Sequence, residues 1–169
     1  DEAVDAGAPN AAGGAVDPTV LLTPADVESV SGLSGLKVVA YDGRGNAAET
    51  REVRTASLAW RIELKPDREE IAGDGKDLCF VAVRILDKTG ELCPRADDRI
   101  FFEVEGPAEI AAVDNGDQTS MEPFRSNCRK AFNGQCMAIV RSRKGSTGAI
   151  RVVARGNGLQ NGEARFTVR

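Results

Sequence analysis

Apolar and polar residues alternate along most of the chain after Leu58, a pattern typical of β-strands buried on one side. The clearest example is the segment Leu78–Leu86, which is bracketed by turn residues and rich in Val, Ile and Phe. Its alternate positions place four apolar side chains on one side: Cys79, Val81, Val83 and Ile85. Phe80 and Arg84 belong to the other side, which we expect to face outward. This segment is predicted to be the central strand of an antiparallel sheet.

The same alternation recurs before and after that strand. The predicted inward-facing sets are Trp60, Ile62 and Leu64; Ile100, Phe102 and Val104; Cys136, Ala138 and Val140; Ile150, Val152 and Ala154; Ala164, Phe166 and Val168. About seven short strands separated by Gly-rich and Pro-rich turns are typical of an immunoglobulin-like sandwich of two sheets. We therefore predict an all-β fold, an immunoglobulin-like antiparallel β-sandwich over residues 58–169.

Residues 36–57 predict a smaller element. Two alternating segments flank the turn-forming stretch Asp42–Asn46, which is the pattern of a β-hairpin. A hairpin alone is marginally stable in water, so we interpret this one as the tail of a preceding immunoglobulin-like domain. Residues 1–35 have few large apolar side chains and are predicted to form an irregular N-terminal segment.

Charge is distributed unevenly along the chain. The net charge is −4, yet the stretch from Arg125 to the end holds ten basic residues and one acidic residue, Glu163. Five of the arginines fall at predicted strand positions: Arg141, Arg151, Arg155, Arg165 and Arg169. Three glutamates could lie across from them: Glu63, Glu103 and Glu105. We interpret the basic end as a solvated sheet face and predict no nucleic-acid partner.

Several kinds of chemistry are disfavoured by composition. Histidine, the commonest general base and a frequent zinc ligand, is absent. No run is long and apolar enough to cross a bilayer, so we predict no membrane insertion. We predict no cofactor. The four cysteines, Cys79, Cys93, Cys128 and Cys136, form no C-x-x-C pair. They could make two disulfides in three possible pairings, but two of them occupy inward strand positions, which favours free thiols.

One stretch between predicted strands carries possible binding residues. Asp114, Asn115 and Asp117 have oxygen ligands and a turn glycine, which makes them candidate calcium ligands. The alternative is an Asx turn, in which the side chains accept hydrogen bonds from their own backbone. The loop that follows, up to Gly134, is long for a strand connection and is either a packed cover or a contact surface. Its interface candidates are Phe124, Arg125, Arg129, Lys130 and Phe132.

A series of short sequences occurs along the chain in this order: Arg68-Glu69, Ala72–Leu78, Phe80-Val81, Asp87-Lys88, Leu92-Cys93-Pro94, Ala111–Asp117, Thr119-Ser120, Arg129–Gly134 and Cys136. Together they resemble the C-terminal immunoglobulin-like domain of bacterial family 2 glycoside hydrolases, chiefly β-galactosidases. The resemblance covers 58–169, and the hairpin is similar to the end of the domain that precedes it in those enzymes.

The resemblance implies a non-catalytic accessory role. In that family two glutamates on an upstream (β/α)8 barrel catalyse hydrolysis, and a retaining enzyme needs its carboxyl groups about 5 Å apart. No catalytic residue is carried over to this chain. The implied partner is the upstream barrel of the same polypeptide, and a homo-oligomer is a further expectation. We expect the parent enzyme to be exported, with a periplasmic or extracellular location.

Two other classes of protein are alternatives to this interpretation. A carbohydrate-binding module would stack sugars on exposed aromatic rings. The chain has one Trp and one Tyr, and Trp60 is predicted to face inward, which leaves Phe101, Phe124 and Phe132 as platforms. An adhesion-type immunoglobulin-like repeat would share the sandwich but lack the loop sequences named above.

Overall fold

The computed structural model describes residues 29–30, 33–42 and 44–169. Most of the predicted irregular segment 1–35 lies outside the described residues. Every regular element within them is a strand, which confirms the all-β prediction. The chain divides into two compact units between Arg54 and Thr55, three residues before the predicted start of the sandwich.

The described residues of the first unit form a small sheet. Its strands, in the order β1-β2-β3, are β1 (Ser29–Val30), β2 (Leu33–Tyr41) and β3 (Ala47–Arg54). β2 and β3 pair antiparallel at the position of the predicted hairpin, with Leu36 opposite Val53. At the turn, the Asp42 carboxylate accepts hydrogen bonds from the backbone N–H groups of Arg44 and Asn46, both at 2.9 Å. Every side chain of β3 is exposed.

The second unit is a sandwich of two sheets. Its strands are β4 (Arg61–Pro66), β5 (Glu70–Ile71), β6 (Leu78–Leu86), β7 (Arg99–Glu105), β8 (Ala108–Asp114), β9 (Cys128–Lys130), β10 (Gln135–Ser142), β11 (Gly148–Gly156) and β12 (Gly162–Val168). One sheet has the order β4-β6-β10-β8 and the other β5-β12-β11-β7-β9. All pairings are antiparallel except that of β5 with β12. The unit has nine strands rather than about seven, because β5 and β9 are too short to show alternation.

The core lies between the two sheets, where the alternation predicted it. β6 is an inner strand, and Cys79, Val81, Val83 and Ile85 are all at most 1% exposed. They face the other sheet's buried side chains, which include Ile100, Phe102, Ile150, Val152 and Phe166. Burial of side chains this size contributes about 1.5–3 kcal/mol each, which makes this layer the main source of the fold's stability.

Two residues depart from the predicted exposure. Val153 lies on the outer face, as the inward set Ile150, Val152 and Ala154 implies, but it is buried there between Glu103 and Glu163 of the neighbouring strands. Trp60 was expected to point inward but is 39% exposed. Trp60 precedes β4. The Gln160 N–H donates to the Trp60 carbonyl (2.8 Å), and the Gln160 carbonyl accepts from the Ile62 N–H (3.0 Å). The chain is not yet following the strand alternation at this residue.

The outer face of the five-stranded sheet carries a lattice of ion pairs. Arg151 contacts Glu105 on β7 (3.1 Å) and Glu163 on β12 (2.6 Å), and Arg155 contacts Glu103 (3.0 Å). These pairs confirm the interpretation of the basic C-terminal part as a solvated, charge-paired face. Two arginine bonds hold the Glu163 carboxyl at a pKa of about 2, against the smaller opposing effect of desolvation.

The four cysteines are free thiols, as predicted. Cys79, Cys93 and Cys136 are buried and Cys128 is partly exposed. Burial raises the pKa of Cys136 to about 12 and, with a hydrogen bond to Asp67, that of Cys79 to about 11. Among the described residues no helix could cross a membrane.

Candidate interaction site

The loop from Asp114 to Gly134, here called the Arg129 loop, bridges the two sheets at one side of the sandwich. It begins at the end of β8, the edge strand of the four-stranded sheet. Within it, the carbonyl of Phe124 accepts a hydrogen bond from Val113 N–H of that strand at 2.8 Å. The carbonyl of Asn127 accepts one from Phe102 N–H of β7, in the other sheet, at 2.7 Å. The loop is therefore fixed to both layers.

Arg129 organises this loop from within. Its side chain is 1% exposed, because β9 turns Cys128 and Lys130 outward and residue 129 inward. One terminal nitrogen, Nη1, donates to the carbonyl of Glu122 at 2.8 Å. The other, Nη2, donates to Asn115 Oδ1 at 3.0 Å and to Asp114 Oδ1 at 3.5 Å.

The prediction of Arg129 as an exposed interface residue is therefore wrong. A buried charge requires paired and hydrogen-bonded surroundings, and this guanidinium finds them inside its own domain. Its Nε makes no hydrogen bond and lies 3.9 Å from Glu122 Oε2. Its Cζ lies 5.3 Å from the centroid of the Phe124 ring, a cation–π contact that orients that ring. Arg129 positions the residues that reach the surface.

Glu122 completes this internal network. One carboxylate oxygen accepts a hydrogen bond from Lys130 N–H at 3.1 Å, and the other lies 2.6 Å from an Arg99 nitrogen on β7. These contacts, led by the Lys130 backbone bond, lower the pKa of the Glu122 carboxyl although desolvation opposes ionisation. The carboxylate thus ties β9 and β7 to the middle of the loop.

The Asp114–Asp117 turn has the hydrogen bonds of an Asx turn. Asp114 Oδ1 accepts from Gly116 N–H at 3.3 Å, and Asn115 Oδ1 accepts from Asp117 N–H at 3.1 Å. Gly116 has a φ of +73°, a left-handed conformation that favours glycine. The Arg129 guanidinium already contacts two of the three candidate ligands. Within the described residues no group of three or more Cys, Asp or Glu side chains could hold a metal ion.

Apolar side chains project from this fixed loop into solvent. Met121 is 95% exposed, Phe124 59% and Phe132 42%. Phe132 and Gln135 exchange backbone hydrogen bonds around Asn133 and Gly134. A Cβ on Gly134 would come within 2.3 Å of a backbone oxygen, so this turn requires glycine. Arg125 and Lys130 are exposed beside them, and Lys130 pairs with Asp97 at 2.6 Å. Met121 was not among the predicted contact residues, because one methionine in a polar loop gives no periodic signal.

A second buried polar group, the carboxylate of Asp87, follows directly after β6 and was not predicted as a site. Asp87 is 0% exposed. Its Oδ2 accepts hydrogen bonds from the backbone N–H (2.8 Å) and hydroxyl (3.1 Å) of Ser57. Its Oδ1 accepts from the N–H (2.8 Å) and hydroxyl (2.7 Å) of Thr89, and from the N–H of Glu91 (3.0 Å). Burial disfavours the charged carboxylate, but these bonds outweigh it and hold the pKa of Asp87 far below its usual range.

The residue after Asp87 contacts the single tryptophan. The ammonium of Lys88 sits 4.5 Å from the centroid of the Trp60 ring. That cation occupies one side of the only exposed indole, which reduces the surface on which a sugar could stack. The geometry thus favours the Arg129 loop, with its uncovered apolar side chains, over Trp60 as the contact surface.

Relatives of this domain are parts of much larger enzymes. The chain is 42% identical over 125 residues to Beta-galactosidase BoGH2A of Bacteroides ovatus. That match covers 74% of this chain and 14% of the relative. The structure is similar to a glycosyl hydrolase family 2 member from Bacteroides cellulosilyticus, with 33% identity, a TM-score of 0.74, and coverage of 80% of this chain and 17% of that one.

A more distant structure shows the same fold. A beta-glycosidase from Bacteroides vulgatus is 22% identical, with a TM-score of 0.74 over 79% of this chain and 17% of that one. The chain spans well under a quarter of the length of each of these proteins. Residues 62–165 match the family described as Glycoside hydrolase family 2 C-terminal domain 5, and the chain belongs to that family.

Proposed function

We propose that this chain is a non-catalytic accessory domain of a bacterial β-galactosidase, and that it supports carbohydrate hydrolysis by packing on other domains of the same polypeptide. One observation carries the proposal: a protein named as a β-galactosidase is 42% identical to this chain, which corresponds to only 14% of its length. The remainder of such an enzyme supplies ample protein to carry the catalytic glutamates.

The Arg129 loop supports the packing role. Exposed apolar side chains on a flexible loop lose conformational entropy when they are buried at an interface. Here Arg129 and Glu122 fix the loop backbone, so burying Met121 and Phe124 at an interface would cost little further conformational entropy. An apolar centre with Arg125 and Lys130 beside it has the composition of a domain interface.

The test compares the whole natural polypeptide with this chain alone, using 4-nitrophenyl β-galactoside. We expect turnover by the whole polypeptide and none by the chain. In the whole polypeptide, Phe124→Ala and Met121→Ala should shorten the half-life of activity on heating. Phe101→Ala is the matched control, since Phe101 is similarly exposed, at 48%, but lies on β7.

Each part of the proposal has its own contrary outcome. Turnover by the chain alone would refute the accessory role. Activity of the whole polypeptide on other glycosides only would refute the substrate. Equal half-lives for the loop variants and Phe101→Ala would refute docking through the Arg129 loop. Export to the periplasm or the exterior stays a prediction, which fractionation of the producing cells would test.

Sugar binding is a second candidate, because Trp60 is exposed rather than buried. As the chain has one tryptophan, its fluorescence reports directly on this ring. Titration of the chain with galactose and galactose-containing oligosaccharides should leave the emission unchanged under the accessory proposal. A saturable shift that Trp60→Phe abolishes would favour a carbohydrate-binding module. No described feature favours an adhesion-type repeat.

A further inference from the structure

The outer face of the four-stranded sheet has an apolar centre. Register places Phe80 of β6, Ile139 of β10 and Ala112 of β8 side by side, with Ala82 and Met137 in the next row. These five residues are here called the Phe80 face. Each of them alternates with a buried neighbour along its strand, so each points away from the core. Phe80 is the most exposed, at 37%.

Charged groups border this face on both sides. Arg84 of β6 pairs with Glu63 of β4 at 3.2 Å, and Arg141 of β10 pairs with Glu109 of β8. Each arginine has a carboxylate partner within the sheet. The second row ends at Lys65 of β4, opposite Ala82, and at Asp114 of β8, opposite Met137, so the border carries little net charge. A surface that matches this face is therefore apolar at its centre and needs no strong charge of either sign.

The opposite outer face of the sandwich is built differently. Across β7, β11 and β12, one apolar residue, Val153, lies at the centre and is buried under the charged residues around it, which are Glu103, Glu105, Arg151, Arg155 and Glu163. Arg151 joins Glu105 and Glu163 in one ion-pair cluster, and Arg155 and Glu103 form a separate pair. Apart from Ala112 on the edge strand β8, the Phe80 face lies on the inner strands β6 and β10, and the charged face also lies on inner strands. Strand position alone therefore does not explain why one face is apolar and the other charged.

We propose that the Phe80 face is a docking surface for an apolar, uncharged surface of another domain of the same polypeptide. The inference rests on the proposed function, since it requires such a domain. The relative aligned here is about seven times longer than the aligned region, because the match covers 14% of it. Most of the polypeptide therefore lies outside this chain and is available as the occupant.

The size of the face argues for a tethered occupant rather than a second copy. Three strands about 4.8 Å apart, with rows about 6.8 Å apart, give an area of roughly 200 Å². A stable contact between separate proteins buries about 800 Å² on each partner. A domain on the same chain needs less, because the covalent link holds it at an effective concentration in the millimolar range.

The face also adjoins the Arg129 loop. Met137 lies directly opposite Asp114, the first residue of that loop, in the register of β10 and β8. The Asp114 carboxylate contacts the Arg129 guanidinium, so the end of β8 is held to the loop interior. The Phe80 face and the Arg129 loop are thus parts of one side of the domain and can meet the same partner.

Hydroxyl-radical footprinting tests this inference without altering the protein, because it measures side-chain exposure residue by residue. Labelling rates of Phe80 and Met137 would be compared in this chain alone and in the whole natural polypeptide, with Phe101 as the internal control. We expect Phe80 to react at least about threefold more slowly in the whole polypeptide, as in a buried interface core, and Phe101 to react equally in both. In the whole polypeptide, the substitution Phe80→Lys should raise the labelling rate of Met137 to the rate measured in the isolated chain. The substitution Phe101→Lys should leave that rate unchanged.

The contrary outcomes are distinct from failure of the proposed function. Equal Phe80 rates in the two proteins would overturn the inference. Slower labelling in the chain alone as its concentration rises would also overturn it, in favour of a second copy. Protection of Met121 and Phe124 without Phe80 would leave the accessory role standing and refute this face. Activity on a different sugar would refute the proposed substrate and leave the docking surface intact.

Discussion

The turns at Asp87 and Asp117 have the same local design and different surroundings. In Asp87-Lys88-Thr89 and in Asp117-Gln118-Thr119, the aspartate accepts hydrogen bonds from the threonine N–H and hydroxyl two residues later. The hydroxyl bond is 2.7 Å long in both. Asp87 is fully buried, whereas Asp117 is partly exposed. Only Asp87 also binds Ser57, thirty residues away.

This difference shows that a local sequence pattern fixes a turn but not its contribution to stability. At Asp117 the bonds compete with water, so each is worth little. At Asp87 the carboxylate has no access to water, and the donors around it replace its hydration. The same three-residue design is therefore a surface turn in one place and a structural anchor in the other.

Removing the carboxylate should lower the free energy of unfolding far more at Asp87 than at Asp117, and this is the largest difference we expect between the two turns. Asp87→Ala leaves the backbone N–H groups of Ser57 and Glu91 without their acceptor, and we expect a loss of about 3 kcal/mol in the free energy of unfolding. Asp117→Ala is the matched control and should cost a small fraction of that. Urea titration followed by circular dichroism measures both. Equal losses would show that burial does not distinguish them.

Acid should weaken the Asp87 anchor without mutation. Its folded-state pKa is depressed below the ordinary value of about 3.9, so its stabilisation is complete above about pH 5 and is lost as the pH falls further. The difference in unfolding free energy between the natural chain and Asp87→Ala should therefore shrink from pH 5 to pH 3. Glu163, with a pKa of about 2, is present in both proteins and cancels in the difference. A constant difference across this range would contradict the assignment.

The smallest expected effect comes from the two threonine hydroxyls. Both threonines are exposed, so they differ mainly in the carboxylate they contact. Thr89→Val should cost about 1 kcal/mol, the usual net worth of a hydrogen bond to a buried acceptor. Thr119→Val should cost less than half as much. Thermal unfolding of the two variants side by side measures the ratio, and a ratio near one would mean that acceptor burial does not matter.

The sandwich was predictable because alternation reports burial wherever a strand is long enough. β6 and β10 show their inward and outward sides over eight or nine residues, and the structure confirms both. The prediction for Trp60 was wrong because this residue lies just before β4, where its N–H bonds to the Leu86 carbonyl while its carbonyl accepts from Gln160 N–H, in the turn between β11 and β12. Periodicity has no meaning at such a position.

The two polar anchors were not predictable, because their burial depends on distant partners. Arg129 is buried among Asp114, Asn115 and Glu122, seven to fifteen residues away, and β9 offers only three residues of pattern. Asp87 lies in a turn sequence after β6, and nothing in that local sequence indicates its bond to Ser57. By contrast, the exposure of Phe124 and Phe132 followed correctly from their place in a long loop.

The contact between Ser57 and Asp87 has a consequence for modular reuse of this domain. The family match begins at residue 62, which would suggest that a transplantable piece can start there. A piece cut at that point would keep the strands of both sheets almost intact, yet it would lack both Ser57 donors of the Asp87 carboxylate. The smallest stretch that could be transferred between enzymes and keep its stability therefore begins at or before Ser57.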